Sequence, residues 1–487
     1  MLTHLKHIIK TISVLTLVIF IANSCKVTNE IIDPTNPTDN PTEYVKTEVK
    51  SWLTSPWQSK YFIRQNIELN FHNIDNGLAT IKVDSTQQYQ TIDGFGFALT
   101  GGSASLINKL PALQKDSLLH ELFDTSGNHI GINYLRISIG ASDLSSYVFS
   151  YDDVSSGNTD TSLQYFSLSP ETYDLIPLLK AIVAINPSIK ILGSPWSAPA
   201  WMKDNKKPNG GSLLKEYFST YADYFVKYIQ GMKANGINID AITIQNEPLN
   251  PYNNPSMYMS AEDQRDFIKT QLGPKFKANN INTKIICYDH NCDVPAYPIT
   301  ILNDQDAYQY VDGSAFHLYG GDISALTTLH EKFPEKNVYF TEQWVGGPGN
   351  FQEDLKWHVK NLVIGATRNW SKNVIEWNLA SDPTYDPHTN GGCSSCMGAL
   401  TIGSTVTRNV SYYIIAHASK FVPDGSVRIA SDMIDNLPNV AFLTPSGQKV
   451  LIVLNSSSTA ELRFNIQYKG RYVTTTLSPG AVSTFIW

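Results

Sequence analysis

Short apolar runs alternate with longer amphipathic stretches between residues 92 and 405. Eight of these runs have the length and the β-branched or aromatic content of buried strands, and they lie at 95–99, 134–139, 189–194, 241–245, 284–288, 313–318, 338–342 and 374–379. Eight strands that alternate with helices predict a closed parallel (β/α)8 barrel, the TIM-barrel fold. Long loops at 140–168 and 380–400 make this region longer than the roughly 250 residues typical of that fold.

Two of the intervening stretches carry helix boundaries as well as helical spacing. Residues 212–236 place apolar side chains at helical spacing and close at Gly236. Residues 260–273 begin at Ser260, a predicted N-cap, and end at Gly273. Both glycines are therefore predicted helix stops.

The pattern changes after about residue 420, where short apolar runs recur with turn residues roughly every ten positions. This pattern predicts an all-β sandwich. Residues 60–90 also show strand patterns, and they precede the barrel, so they are free to pair with the C-terminal strands. The predicted fold is α/β, with an N-terminal β segment at 46–91 that packs with the C-terminal sandwich, a barrel at 92–419 and the sandwich at 420–487.

The N-terminal segment has the features of a targeting sequence. Basic residues precede an apolar run at 12–22 that is too short to span a bilayer comfortably, and small residues precede Cys25. We predict a lipoprotein signal peptide at 1–24, lipidation of Cys25, and export to the cell envelope, with the outer membrane or cell surface favoured. An ordinary signal peptide or an uncleaved anchor is the alternative. Asx-Pro-Thr repeats within 25–45 predict a flexible tether.

The composition limits the classes of binding partner that the sequence predicts. The net charge is −7 and no basic stripe is present, which argues against nucleic acid as a partner. The 25 Tyr, 20 Phe and 9 Trp suit a carbohydrate-binding cleft as well as a core. Four cysteines remain, and their pairing stays open; "CSSC" lacks the second pair of ligands of a structural zinc site. They are Cys287, Cys292, Cys393 and Cys396. No metal or organic cofactor is predicted, and nothing in the sequence predicts an oligomeric state.

Polar side chains gather where the predicted strands end, which is where barrel enzymes have their active sites. Glu247 follows the fourth strand and Glu342 ends the seventh. Further polar or aromatic residues belong to the same set: Arg136, Trp196, Asn246, His317, Tyr319, Trp377 and Asn378. Any one of them alone is more often a cap, a loop hydrogen-bonding group or, for His317, a structural histidine. Together they predict one cleft.

Two carboxyl groups in a tryptophan-rich cleft fit glycoside hydrolysis. One carboxyl must carry a proton for the leaving oxygen, and the other must be ionised to attack or to activate water. Asn246 is placed to hydrogen-bond a sugar 2-hydroxyl, Arg136 to keep Glu342 ionised, and Trp377 to offer a ring face. We expect the carboxyl groups of Glu247 and Glu342 to lie about 5–5.5 Å apart, as in retaining enzymes.

Seven stretches between residues 90 and 380 carry a family resemblance, and they are QTIDGFGFALTGGSAS, YLRISIGASDLS, ILGSPWSAPAWMK, AITIQNEPLN, VDGSAFHLYGG, VYFTEQW and IEWNLA. In this order they resemble glycoside hydrolase family 30, the glucosylceramidase-like retaining β-glycosidases. The resemblance implies that Glu247 is the acid/base and Glu342 the nucleophile. It further implies sugar-site roles for Arg136, Asp143, Trp196, Asn246, His317, Tyr319, Trp377 and Asn390.

The resemblance implies retaining hydrolysis of β-glucosidic bonds without a cofactor, and a tethered lipoprotein suits the β-1,6-glucanase branch. A glucosylceramidase or general β-glucosidase is the alternative, ahead of the xylan- and fucose-directed branches. Phe97, Leu99 and Trp344 depart from the family pattern around or just beyond the sugar and put ceramide as aglycone in doubt. A non-catalytic glycan-binding lipoprotein is the alternative of another class, against which the paired glutamates argue.

Overall fold

The computed structural model describes residues 43–487. The predicted signal peptide, Cys25 and the tether up to residue 42 lie outside the described residues. Within residues 43–487, no helix is long and apolar enough to cross a membrane.

The strands run through the whole described chain. In chain order they are β1 (Lys50–Ser55), β2 (Lys60–Arg64), β3 (Thr80–Thr91), β4 (Gly94–Ala98), β5 (Tyr134–Ser138), β6 (Lys190–Ser194), β7 (Ala241–Thr243), β8 (Lys284–Cys292), β9 (Val311–Gly321), β10 (Asn337–Glu342), β11 (Val345–Gly346), β12 (Ser371–Asn378), β13 (Ala380–Ser381), β14 (Cys396–Met397), β15 (Leu400–Ile402), β16 (Val406–Arg408), β17 (Val427–Ser431), β18 (Asn439–Leu443), β19 (Lys449–Leu454), β20 (Leu462–Tyr468), β21 (Arg471–Leu477) and β22 (Val482–Ile486).

The helices lie mainly between the barrel strands. They are α1 (Gly101–Asn108), α2 (Ala112–Phe123), α3 (Leu175–Ile185), α4 (Phe218–Ala234), α5 (Ala261–Phe267), α6 (Gly273–Ala278), α7 (Ala296–Leu302), α8 (Gln305–Tyr308), α9 (Ala325–Lys332), α10 (Phe351–His358) and α11 (Val410–Ser419). A π-helical turn at Ile268–Leu272 joins α5 to α6, and another at Val359–Ala366 continues α10.

Eight parallel strands close a barrel in the order β10–β12–β4–β5–β6–β7–β8–β9. Each corresponds to one of the eight strands predicted from the apolar pattern. Alternate side chains fill the barrel interior, because successive residues of a strand point to opposite faces. A separate buried cluster from seven barrel strands consists of Tyr134, Leu192, Ala241, Ile286, Ala315, Tyr339 and Ile375.

The two predicted helix stops have different outcomes. Gly236 follows the end of α4 with φ 80°, the left-handed conformation that glycine adopts most readily after a helix, as predicted. Gly273 does not stop a helix, since the helix continues through it to Ala278. A Cβ at Gly273 would lie 2.2 Å from the ring of Tyr310, so the glycine permits close packing. The prediction at this position is wrong because a glycine in the sequence does not by itself show whether it ends a helix or permits close packing within one.

The remaining large sheet has nine strands in the order β2–β1–β22–β19–β18–β17–β3–β20–β21. It combines strands from before and after the barrel. Neighbouring residues of β18 face two cores: Phe442 packs in the core shared with the barrel, and Ala441 packs in a second core. That second core also contains side chains from distant strands of the sheet, including Leu53, Val83, Leu451, Phe464 and Val473. The sheet thus encloses its own core between two layers, and the predicted fold class is confirmed.

Helix α11 is buried along its whole length. Its His417 lies between the hydroxyl groups of Thr54 in β1 and Thr484 in β22, at 2.8 and 2.9 Å. Burial lowers the pKa of His417 to about 3, so this imidazole is neutral in the folded protein at neutral pH.

Candidate active site

A cavity of about 510 Å³ opens at the carboxyl ends of the barrel strands. Its lining includes Asp143, Trp196, Glu247, Tyr319, Glu342 and Trp377. All six are residues that the sequence placed at one site. In a (β/α)8 barrel this end of the strands carries the chemistry, so we treat the cavity as the candidate active site.

The two glutamates reach the cleft by different local structures. Glu342 is the last residue of β10. Glu247 lies beyond the end of β7, where its backbone adopts φ 47° and its N–H donates to the carbonyl of Asp289 at 2.9 Å. One carboxylate oxygen of each glutamate and a ring nitrogen of His317 lie within 4.8 Å of one another. This proximity fits a retaining pair and not the separation of roughly 6.5–9.5 Å found in inverting enzymes.

Arg136 is the central cation of the cleft and is fully buried. Its guanidinium donates to Glu342 at 2.5 Å, to Asn246 at 2.7 Å and to Asp289 at 2.9 Å. A third nitrogen, Nε, donates to Ser194 at 3.2 Å. A guanidinium has a rigid planar set of donors, so this residue fixes the positions of two carboxylates and one amide.

His317 connects the same groups on the other side of the cleft. Its Nε2 lies 3.1 Å from Asp289, and its Nδ1 lies 3.3 Å from Glu247 and 4.0 Å from Glu342. Tyr319 donates to the second oxygen of Glu342 at 2.9 Å. Asn250 donates to the other oxygen of Glu247 at 2.8 Å. Every carboxylate oxygen of the pair therefore has a hydrogen-bonding neighbour among these side chains.

Asp289 is a functional residue that the sequence reasoning missed. Thr243 and Thr341 donate to its two oxygens at 2.6 and 2.7 Å, besides the contacts with Arg136 and His317. Burial alone would raise the pKa of Asp289, but Arg136 and the hydrogen bonds hold it well below its usual range. Asp289 is therefore the buried anion that orients the cationic side of the cleft.

A β-bulge explains the omission. The sequence ended strand five at Tyr288, and strict alternation from the inward-facing Ile286 would point Tyr288 into the barrel. In β8 the register shifts between Tyr288 and His290, and both Tyr288 and Asp289 have positive φ values. Tyr288 packs in the outer core instead. Bulges next to active sites re-aim side chains in this way, and the only sequence signal was a polar residue directly after the strand.

Aromatic rings form one wall of the cleft. Trp196 and Trp377 stack with ring centroids 5.3 Å apart and an interplanar angle of 27°. The guanidinium of Arg136 lies 4.8 Å from the centroid of Trp196. The indole N–H of Trp196 has no hydrogen-bond partner among the described residues, and Trp344 also lines the cavity. The wall thus offers ring surface, while the indole nitrogen of Trp196 is itself buried.

Asp143 lines the same cavity as the two glutamates. Its carboxylate accepts a hydrogen bond from the backbone N–H of Cys393 at 3.4 Å. Burial raises the pKa of Asp143 to about 7, and the nearby Glu342 and Glu247 add to the effect. Cys393 is joined to Cys396 by a disulfide that lines the cavity. The pairing that the sequence left open is thereby resolved, since the remaining two cysteines are free and buried.

Three sequence-selected residues lie elsewhere. Asn390 is exposed and does not line the cavity; its backbone carbonyl accepts a hydrogen bond from Asn254 at 2.9 Å. Phe97 and Leu99 are buried in the core shared with the outer helices, and neither lines the cavity. The expectation that these two side chains flank the sugar is wrong, because both point outward from β4 and its continuation.

The cleft holds an excess of carboxyl groups over cations. Burial alone would lower the pKa of His317, but Glu342, Asp289 and Glu247 raise it to about 9. Arg136 and a protonated His317 thus face three carboxyl groups. The trio Glu247, His317 and Glu342 also has the ligand types for a divalent ion. Because the surrounding donors already hydrogen-bond these oxygens, we expect acid–base chemistry here.

The pKa directions of the two glutamates run against the expected roles. Burial raises the pKa of Glu342 despite the nearby His317 and Arg136. Burial would raise that of Glu247 as well, but the hydrogen bond and charge of His317 lower it. This order, in which the pKa of Glu247 is lowered and that of Glu342 is raised, requires a protonated His317. The contacts nevertheless favour Glu342 as the ionised group in the reaction, because it accepts hydrogen bonds from Arg136 and Tyr319 on both of its oxygens.

A barrel whose strand ends bring two carboxylates together beside stacked tryptophans defines a glycoside hydrolase. Residues 92–422 match the glycosyl hydrolase family 30 TIM-barrel domain, and residues 425–485 match the β-sandwich domain of the same family. The chain belongs to glycosyl hydrolase family 30, as the sequence motifs predicted.

Relatives of known activity cover most of the chain. It is 39% identical over 368 residues to an endo-1,6-β-D-glucanase of Neurospora crassa, across 72% of this chain and 75% of the relative. It is 30% identical over 433 residues to the lysosomal acid glucosylceramidase of Mus musculus, across 82% of each chain. The solved structure of the endo-β1,6-glucanase BT3312 superimposes with a TM-score of 0.84 at 35% identity, covering 91% of this chain and 99% of that one.

Proposed function

We propose that this protein is a retaining endo-β-1,6-glucanase that acts by double displacement. The observation that carries the proposal is the pair of carboxylates, Glu247 and Glu342, with oxygens within 4.8 Å at the mouth of the barrel. The linkage rests on similarity: identity is higher to the glucanases, at 39% and 35%, than to the mouse glucosylceramidase, at 30%.

In the first step Glu342 attacks the anomeric carbon and Glu247 protonates the leaving oxygen. Arg136 and Tyr319 hold the two oxygens of Glu342 as hydrogen-bond acceptors, which keeps the attacking carboxylate ionised and oriented. The proton reaches the leaving oxygen from Glu247, whose neighbour His317 stays anchored to Asp289 through Nε2. The products are the released glucan, whose new hydroxyl group carries the proton from Glu247, and a covalent α-glucosyl ester of Glu342.

In the second step Glu247, now ionised, removes a proton from water as that water attacks the ester. Charge on Glu247 is favoured by the donors of His317 and Asn250. The lowered pKa of Glu247 therefore favours the ionised form that acts as base, and the proton that it takes from water restores the acid.

Two further groups are placed to hold the sugar. Arg136 donates to the side-chain oxygen of Asn246, which leaves the amide nitrogen as the donor to a sugar 2-hydroxyl, a contact that strengthens in the transition state. Trp196 and Trp377 supply stacked ring surface along the cavity. Asp143, which lines the same cavity, supplies an acceptor. Asn390 is exposed, so its position does not support a role in sugar binding.

A glucosylceramidase or general β-glucosidase is the second candidate within the family. The identity of 30% to the mouse enzyme across 82% of both chains supports it. Trp344 argues against a ceramide leaving group, because its large indole lines the cavity just beyond Glu342.

Product analysis on a matched panel tests the proposal. The panel comprises β-1,6-, β-1,3- and β-1,4-glucans and glucosylceramide, with Glu342→Gln as the inactive control. We expect short oligosaccharides from the β-1,6-glucan and little from the others. Glucose alone would indicate exo action, and release of ceramide would favour the second candidate. Binding of a β-glucan without any product would instead support a glycan-binding lipoprotein.

We also propose that the protein is exported and lipid-anchored through Cys25. The support is the sequence pattern of residues 1–25, ahead of a Pro- and Thr-rich segment. Two acyl chains with an amide-linked third would bind a membrane firmly. Membrane fractionation of the wild type and Cys25→Ala tests this: we expect the wild type in the membrane fraction and the variant released. Equal distribution of both would exclude a lipid at this cysteine.

A further inference from the structure

The segment that contains the disulfide wraps around Asp143. The backbone N–H of Thr389 donates to the carbonyl of Asp143 at 2.8 Å, and its hydroxyl donates to the carbonyl of Asn254. The N–H of Cys393 donates to the Asp143 carboxylate. Between them, Gly392 lies so close that a Cβ there would be 2.4 Å from the Asp143 carbonyl oxygen. One loop thus holds both the backbone and the side chain of Asp143.

The other half of the disulfide is tied to the chain that follows Glu342. Cys396, in β14, pairs with Gly346 in the antiparallel β11–β14 ribbon, and the N–H of Gly347 donates to the carbonyl of Ser395 at 2.8 Å. Within a small buried cluster, Cys396 packs with the tryptophan wall. The disulfide therefore links a segment fixed on the Glu342 side of the cleft to the segment that holds Asp143.

The covalent bond replaces regular structure in this loop. Between β13 and β14 the described chain contains no helix or strand, so the position of Cys393 depends on a few hydrogen bonds and on its bond to Cys396. A loop without regular structure samples many conformations unless it is held. The donor to Asp143 would be displaced easily without the cross-link.

We propose that the Cys393–Cys396 disulfide is a positioning element for sugar binding, which holds the Cys393 N–H on Asp143 and so keeps that carboxylate in place for a sugar hydroxyl. The inference rests on the proposed function, in which Asp143 faces the sugar. The same N–H lowers the pKa of Asp143 against the effect of burial, so loss of the disulfide raises the pH at which this carboxyl ionises.

A double-mutant cycle tests the coupling. Its members are the wild type, Cys393→Ser/Cys396→Ser, Asp143→Asn and the combination of all three changes, assayed on an activated aryl β-glucoside. We expect the serine pair to lower kcat/KM about tenfold, the equivalent of one hydrogen bond to a charged group, and to do so mainly through KM. In the Asp143→Asn background the two cysteine-to-serine changes should lower kcat/KM less than about twofold. Equal losses in both backgrounds would overturn the proposal.

The pH profile gives a readout that a purely structural role would not change. We expect kcat/KM of the wild type to fall below about pH 7 as Asp143 is protonated, and the serine pair to shift this acid limb to higher pH. The Asp143→Asn variant should show no such fall of kcat/KM below about pH 7. An unshifted limb in a folded serine-pair variant would overturn the inference.

Reduction of the wild type covers the case in which the serine pair fails to fold. Dithiothreitol should lower kcat/KM of the wild type and of Cys287→Ser, because Cys287 is a free buried thiol. Insensitivity of the wild type, after mass spectrometry has shown the Cys393–Cys396 bond to be reduced, would overturn the proposal. If the wild type hydrolyses no β-glucoside, the proposed function fails, and the cycle is then measured as calorimetric binding of 1-deoxynojirimycin. Additive binding losses, or no binding by the wild type, would overturn the positioning role as well.

Discussion

The buried His317 makes the stability of the fold depend on pH in a direction that can be calculated. Its side chain is fully buried, and the neighbouring carboxylates raise its pKa to about 9 from an ordinary value of 6.5. Since a raised pKa means that the folded state binds the proton more tightly, protonation of His317 stabilises the fold. That stabilisation is fully present below pH 6.5 and is lost as the pH rises through about 9.

The magnitude follows from the two pKa values. Between them the folded state holds one proton that the unfolded state has released, so the free energy of unfolding falls by about 1.4 kcal/mol per pH unit. The difference between 6.5 and about 9 corresponds to about 3 kcal/mol in total. We expect His317→Asn to lower stability at pH 7 and to remove this part of the pH dependence.

Urea denaturation between pH 7 and about 9.5 measures the slope. The comparison includes His417→Asn as the matched control. His417 is equally buried, but its pKa is lowered to about 3, so it is neutral in both folded and unfolded states across most of this range. That variant should lose stability without changing the slope. If His317→Asn kept the wild-type slope, or if His417→Asn changed it equally, the charge assigned to His317 would be wrong.

Three further outcomes test the site and the packing. Glu247→Gln should lose about 10²–10⁴-fold in turnover of natural glucans and much less on activated aryl glucosides. Azide should rescue Glu247→Ala with formation of a β-glucosyl azide, and Glu342→Ala with formation of an α-glucosyl azide. A β-glucosyl azide from the Glu342 variant alone would mean that the two roles are exchanged. Exhaustive chelation should leave activity intact, because the two glutamates supply both chemical steps; a loss that added zinc or calcium restores would contradict this. Gly273→Ala should destabilise the fold by about 1–3 kcal/mol, since the new methyl group would meet the ring of Tyr310 at 2.2 Å; an unchanged urea midpoint would show that the ring yields freely.

Sequence reasoning succeeded where a side chain follows from strand periodicity. Glu342 and Arg136 lie on barrel strands, and the rule that strand ends face the site placed both correctly in the cleft. It failed where the backbone departs from that periodicity. Asp289 enters the barrel through a bulge, and no composition signal marks that register shift. Asn390 lies in an irregular loop whose path depends on tertiary contacts, so a motif match could not place its side chain.

The disulfide shows a third limit. Cys393 and Cys396 are close in sequence, and their pairing was one of the open possibilities. Their contact with Asp143, however, joins positions 250 residues apart in the chain. Such a contact exists only after the barrel has closed, because it depends on β5 and the loop after β12 meeting at one rim.

The pairing of β1 with β22, in which Lys50 lies opposite Ile486, has a consequence for the order of folding. During synthesis, the barrel strands are complete before β22, which pairs with β1, and β17 and β20, which pair with β3, leave the ribosome. The early strands therefore expose unpaired backbone edges throughout translation, which is when edge strands recruit other chains. Closing so long a loop is slow. We therefore expect final assembly of the two-layer sheet to be rate-limiting, and chains that lack β1 or β22 to aggregate even when their barrels are intact.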